Sequence, residues 1–157
     1  MKIFLVLFTL LTIFTNSKAQ NNMEKVNSII QTVKEKFAPD KRVALFNIEA
    51  AESGDNIIIK GETNLPDVKS EFVKNMKEAG LTFKDEIEML PSKELGDKIF
   101  GVINLSVANF RAKPDHPAEL VTQAILGTPG KVFKKGEDGY YLIQTPDGYI
   151  SWLDDDG

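Results

Sequence analysis

The sequence predicts an α+β protein with an α-β-β-α-β unit followed by an all-β unit. Three observations support this. Residues 20–91 alternate helix-period and strand-period hydrophobic patterns, residues 92–98 are polar and aperiodic, and residues 99–157 contain short strand-like runs separated by turn residues. A length of 157 residues suffices for two small domains. We therefore expect two domains with a linker at 92–98.

The first nineteen residues are typical of a secretory signal peptide. Lys2 supplies the positive start, residues 3–14 form an apolar run, and residues 17–19 form a small-x-small cleavage site. The run is shorter than the roughly 20 residues that span a bilayer. We expect cleavage after Ala19 and a secreted or periplasmic mature protein without a membrane span.

Charge and composition disfavour several functions. Loss of Lys2 and Lys18 with the signal peptide takes the net charge from −4 to −6. No basic stripe is left to neutralise phosphates, which disfavours nucleic-acid binding. The sequence has no cysteine, which excludes disulfides and a cysteine nucleophile. It has one histidine, His116, whereas a histidine-based metal site needs more than one. Residues 154–156 are expected to be a solvated acidic tail rather than a calcium loop. We expect no cofactor and no metal.

The first unit is predicted as five elements. Its first helix is expected to begin at an Asn21-Asn22 cap and to stop before Pro39, because proline disfavours helix in the residue before it. The remaining elements are a strand from Arg42 to Glu49, a strand from Ile57 to Gly61, a helix capped by Asn64 and ended by Gly80, and a strand from Phe83 to Met89. The second helix then connects two strands of one sheet.

The second unit is predicted to be a barrel-like set of short strands. Strands are expected at 101–107, 120–126, 131–135, 140–144 and 149–153, with a long exposed loop at 111–119. The last two strands form a hairpin, because residues 145–148 (Thr-Pro-Asp-Gly) place proline at the second position of a type I turn and glycine at the fourth.

Three segments resemble a known family. Residues 107–114 (VANFRAKP), residues 119–129 (ELVTQAILGTP) and the hairpin at 144–152 are similar to a bacterial SH3-like (SH3b) domain, and more narrowly to the one that precedes the catalytic domain of NlpC-class cell-wall cysteine peptidases. Separately, residues 42–90 resemble a BON domain, a small envelope-associated α/β module. The resemblance to SH3b domains implies an SH3-like barrel that binds the peptide portion of the cell wall or helps to shape a neighbouring active site.

The resemblance does not carry over the catalytic residues. In the peptidases, the cysteine and histidine lie in a domain beyond the SH3b unit, whereas this sequence ends with residues 154–157. We therefore expect a non-enzyme that binds a peptidoglycan stem peptide or a wall-processing partner. The alternative is the N-terminal targeting part of an NlpC-class peptidase of the γ-D-glutamyl-L-diamino acid endopeptidase type, whose catalytic domain is encoded separately or lost. A scaffold for protein partners is a third possibility.

Four ligand-binding residues are predicted, namely Tyr149, Arg111, Glu119 and Tyr141. The planar fork of Arg111 suits a carboxylate, although the same fork suits bracing of its own loop through carbonyl oxygens. Glu119 is a candidate for a free amine of a muropeptide, with an exposed strand-edge carboxylate as the alternative. Because side chains alternate along a strand, Tyr149 and Trp152 are expected on opposite faces, with Trp152 buried and Tyr149 contacting the ligand.

Overall fold

The structure is a computed structural model that describes the backbone of residues 2–54 and 56–157 and the side chains of residues 20–54 and 56–157. Its elements, in chain order, are α1 (Lys2–Phe37), β1 (Phe46–Ser53), β2 (Asn56–Thr63), α2 (Pro66–Glu78), β3 (Phe83–Met89), a 3₁₀ turn (Lys93–Leu95), β4 (Phe100–Val102), β5 (Val107–Arg111), β6 (Leu120–Ile125), β7 (Pro129–Lys135), β8 (Tyr140–Gln144) and β9 (Ile150–Asp154). The α+β prediction is confirmed. The predicted signal-peptide side chains lie outside the described residues.

The first part of the molecule is a three-stranded sheet packed against helices. The strands lie in the order β1-β2-β3, with β2 antiparallel to β1 and parallel to β3 through the α2 crossover. The spacing predicts an α2 stripe of Val68, Phe72, Met76 and Ala79, and the first three are buried. Ala79 is exposed, because it lies at the end of the helix. The helix ends before Gly80, whose φ of +70° is readily adopted by glycine.

Three predicted boundaries in this part are wrong. Asn21 and Asn22 lie inside α1 rather than at its start. Residues 41–43 form a turn instead of the first part of β1, because the Asp40 carboxylate accepts a hydrogen bond from the Arg42 backbone N–H at 2.9 Å and the Asp40 carbonyl accepts one from the Ala44 N–H at 3.1 Å. Asn64 does not cap α2, since its Oδ1 accepts the Leu45 N–H at 2.9 Å.

The second part is a six-stranded antiparallel sheet in the order β4-β7-β8-β9-β5-β6. The single strand predicted at 101–107 is instead two strands, β4 and β5. The chain between them turns because Ile103 exchanges hydrogen bonds with Gly127 and Thr128, and the Asn104 N–H donates to the Gly157 carbonyl at 2.8 Å. The remaining strands agree with the prediction within one or two residues.

The two parts pack together through a shared apolar cluster. The cluster combines residues of the first part and of the six-stranded sheet, and its buried members are Leu45, Leu90, Phe133, Leu142 and Ile150, with Trp152 packed against them. Each sheet also has its own core. The predicted linker is ordered, because Ser92 caps the 3₁₀ turn and its N–H donates to the Phe133 carbonyl at 2.7 Å.

Two polar contacts reinforce this interface. The Ile150 N–H donates to the Arg42 carbonyl at 2.6 Å, and Lys134 Nζ lies 2.6 Å from Glu62 Oε2 with both side chains largely shielded from solvent. These contacts join the 41–43 turn and β2 to the six-stranded sheet. Among the described residues, no helix has the length and apolar character needed to cross a membrane.

Candidate functional site

A cleft of about 390 Å³ lies where the two parts of the molecule meet. Its lining comes from both parts: Lys41, Arg42, Leu45, Asn47 and Glu62 from the first, and Ala112, Glu119, Leu120, Val121, Leu142, Tyr149, Ile150, Ser151 and Trp152 from the second. The cleft therefore exists only because the two parts dock. Its size is typical of a pocket for a small molecule or a short peptide.

The aromatic part of this lining comes from the β8–β9 hairpin. Tyr149 and Trp152 are both partly buried and both line the cleft. Ile150 and Ser151, which alternate along β9, line the cleft as well, so the prediction that Tyr149 and Trp152 lie on opposite faces stays a prediction. Trp152, which is predicted to be buried, is only partly buried, because its ring packs on the apolar cluster and also forms part of the cleft wall.

The turn that carries Tyr149 is held by a dense set of hydrogen bonds. The Gly148 N–H donates to the Thr145 carbonyl at 2.9 Å, which closes the predicted β-turn, and the Thr145 N–H donates to the Tyr149 carbonyl at 2.9 Å. The Asp147 carboxylate accepts from the Thr145 hydroxyl at 2.5 Å and from the Tyr149 N–H at 3.3 Å. The Tyr149 backbone is thus positioned before any ligand arrives.

The first part of the molecule adds two cations to the cleft wall, Lys41 and Arg42. The Arg42 guanidinium carbon lies 5.8 Å from the centroid of the Tyr149 ring, within the range of a cation–π contact. Its Nε and Nη2 donate to the Asp40 carboxylate at 2.8–3.2 Å. This bond lowers the pKa of the Asp40 carboxyl from 3.8 to about 2 and raises the pKa of Arg42, so both groups are charged at neutral pH.

Glu119, the residue before β6, also lines the cleft. It is an exposed carboxylate. The other acid of the lining, Glu62, is already paired with Lys134. Tyr149 and Glu119 are therefore the two predicted site residues that the structure brings to one cavity.

Arg111 and Tyr141 lie elsewhere. Arg111 Nη1 donates to the Ala118 carbonyl at 3.0 Å, which braces the 111–119 loop, and its side chain lines a separate hollow of about 240 Å³ beside His116. Tyr141 lines a third hollow, of about 380 Å³, together with Leu95 and Phe100. The four predicted residues thus fall into three places.

His116 and the C-terminal aspartates form a polar surface around the second hollow. His116 Nε2 lies 3.3 Å from Asp154 Oδ2, and its side chain is 79% exposed. The carboxylates of Asp154, Asp155 and Asp156 approach within 4.8 Å of one another. Within the described residues they are the cluster of acidic side chains close enough together to bind a metal ion. Asp155 and Asp156 are exposed, as expected for a solvated tail.

Sequence reasoning missed the role of Lys41 and Arg42. A local signal was present, because Pro39-Asp40 is a turn-forming pair and an aspartate two residues before an arginine can accept from its backbone N–H. Their approach to Tyr149 depends on how the two parts dock, and no local pattern encodes that.

The comparison with protein families bears on the second part of the chain. Residues 110–157 match the model of the bacterial dipeptidyl-peptidase SH3 domain family, which supports the SH3-like prediction; the BON-like and NlpC-type assignments stay predictions. A search of curated proteins found no match. Residues 110–157 are therefore similar to a bacterial SH3-like domain.

Proposed function

We propose that this is a secreted, non-catalytic protein of the bacterial envelope whose cleft binds the peptide portion of peptidoglycan. The observation that carries the proposal is the cleft itself: an aromatic wall formed by Tyr149 and Trp152, with cations at one side and the Glu119 carboxylate also in the lining. The family of the SH3-like domain, which is associated with cell-wall peptidases, supports a role at the wall.

The chemistry of a stem peptide fits this lining. Such peptides carry carboxylates, free amines and short aliphatic side chains, and the cleft offers cations, a carboxylate and aromatic faces. The cysteine–histidine chemistry of the peptidases has no counterpart in these 157 residues, which contain no cysteine. Because the cleft is open and its contacts are partly exposed, we expect an affinity of about 10 µM to 1 mM.

Replacing Tyr149 by alanine is expected to weaken co-sedimentation with purified peptidoglycan by about tenfold, because an aromatic side chain at the centre of a binding site commonly contributes more than 1 kcal/mol. The melting temperature should change little, since the backbone of the Tyr149 turn is held by hydrogen bonds that do not involve the ring. The measurement is pelleting of the mature protein with insoluble wall over a range of wall concentrations.

Tyr141→Ala is the matched control, because it removes the same side chain from the same hairpin but lines a different hollow. It should pellet like the wild type. Loss of binding in Tyr141→Ala together with full binding in Tyr149→Ala would move the site to the hollow beside Phe100. Failure of the wild-type protein to pellet would contradict the proposed function.

A second candidate function is recruitment of a wall-processing enzyme, and an exposed apolar surface favours it. The surface surrounds the β6–β7 turn, where Val107 of β5 pairs with Ile125 of β6. Its members are all large apolar side chains exposed by 43% or more: Phe100, Val102, Leu105, Val107, Ile125 and Leu126. Apolar clusters of this kind commonly mark protein interfaces.

Ile125→Ser tests this second candidate. Because Ile125 is 66% exposed, the substitution should change the free energy of unfolding by no more than about 0.5 kcal/mol. We expect it to abolish comigration, in size-exclusion chromatography, with an NlpC-class catalytic domain from the same genome. Comigration that persists in Ile125→Ser, or that never occurs with the wild type, would contradict recruitment through this surface.

A further inference from the structure

The geometry points to a role for the first part of the molecule in ligand binding: its 41–43 turn supplies the carboxylate-binding group of the cleft. Arg42 is the residue that selects ligands carrying a free carboxylate. This inference rests on the proposed peptide-binding function. It transfers the carboxylate contact from the SH3-like domain, where the sequence places it at Arg111, to a residue outside that domain.

The position of Arg111 is the first argument. Its Nη1 donates to the carbonyl of Ala118, and its side chain lines the hollow beside His116 rather than the cleft. A guanidinium committed to its own loop has fewer donors left for a ligand. The cleft therefore draws its cations from the first part of the molecule, as Lys41 and Arg42.

The second argument is that hydrogen bonds fix both the backbone and the side chain of Arg42. Its carbonyl accepts the Ile150 N–H at 2.6 Å, which ties the turn to the first residue of β9. Its guanidinium is oriented by Asp40 through Nε and Nη2, and it lies 5.8 Å from the Tyr149 ring centroid. Preorganisation of this kind reduces the entropy that a flexible arginine would lose when it binds.

The third argument concerns the donors that remain. Asp40 occupies Nε and Nη2, and among the hydrogen bonds of the described residues none involves Arg42 Nη1. The arginine side chain is 58% exposed, so a ligand can reach it. A carboxylate lying on the Tyr149 face would meet these Nη1 hydrogens and the neighbouring Lys41 ammonium, and charge-assisted hydrogen bonds are the stronger kind.

The charge balance supports an anionic group at this end. Asp40 offsets one of the two cations, and Lys41 leaves one unit of positive charge beside the aromatic wall. Glu62, the acid that the first part contributes to the lining, is paired with Lys134 at 2.6 Å. The first part of the molecule therefore presents a net cation to the cleft.

The test uses the tripeptide L-Ala-γ-D-Glu-L-Lys as the free acid and the same peptide with both carboxyl groups amidated. With the wild-type mature protein, isothermal titration should show the acid binding about tenfold more tightly than the amide, as expected for one charge-assisted hydrogen bond. In Arg42→Gln most of this preference should be lost, because Lys41 is then the remaining cation that the first part of the molecule contributes to the cleft wall.

Lys60→Gln is the matched control, because Lys60 is an exposed cation paired with Glu49 and lies outside the cleft lining. It should keep the full preference for the acid. If Arg42→Gln also keeps that preference, or if the wild type binds both peptides equally, the inference is wrong while the proposed function stands. If the wild type binds neither peptide, both are wrong.

Discussion

Gly61→Ala is expected to destabilise the three-stranded sheet by about 3 kcal/mol or more. Gly61 lies in the central strand β2 with a φ of +129°, a conformation that residues with a side chain rarely adopt. A methyl group there would collide with the Asn47 carbonyl oxygen and would come within 2.9 Å of the Ile48 Cα. Neither backbone group can move without breaking the β1–β2 ladder, in which Gly61 pairs with Ile48.

The effect should extend to the cleft. Asn47 belongs to its lining, and Glu62, the next residue after Gly61, carries the ion pair with Lys134. The measurement is urea unfolding of the mature protein followed by far-UV circular dichroism. Gly54→Ala is the control, because Gly54 also has a positive φ, of +61°, but a methyl group there meets nothing within 4 Å. The Gly54→Ala substitution should lower the free energy of unfolding by about 1 kcal/mol. Equal costs at the two positions would show that the β1 backbone does not approach Gly61 this closely.

The sequence predicts most of this fold because local patterns agree with it. Three of the four positions predicted for the α2 stripe are buried, and Ile87 is buried in the middle of β3 as its alternation requires. Two of the exceptions occur where side-chain hydrogen bonds compete with regular structure. The Asp40 carboxylate holds Arg42 in a turn, and Asn64 bonds to Leu45 instead of capping α2.

The candidate site could be predicted only in part. The aromatic residues of the hairpin point to Tyr149 and the end of the 111–119 loop points to Glu119, and both line the same cleft. The contribution of Arg42 does not follow from any local pattern, because it depends on contacts between residues far apart in the chain. The sequence holds an indirect clue, because Leu142 and Ile143 are consecutive apolar residues. Both are buried, which a strand with one solvated face would not allow. The second buried face is the one that the first part of the molecule covers.

Phe133→Ala is expected to lower the free energy of unfolding by about 3–5 kcal/mol, since its side chain is 1% exposed and truncation would leave a cavity. Phe133 sits at a register shift of β7 between Val132 and Lys134. There the strand directs Val132 into the core of the six-stranded sheet and Phe133 into the cluster shared with Leu45 and Leu90. The lost contacts are therefore those that dock the two parts.

The single tryptophan makes this loss measurable, because Trp152 packs on the same cluster. Urea unfolding followed by tryptophan fluorescence should show a lower midpoint for Phe133→Ala, and co-sedimentation with peptidoglycan should weaken because the 41–43 turn is less firmly held against β9. Phe100→Ala removes the same side chain from a site that is 72% exposed, and should change the free energy of unfolding by no more than about 0.5 kcal/mol. If the two variants unfold at the same urea concentration, the two parts of the molecule do not pack through Phe133. That result would also contradict a cleft formed by both parts.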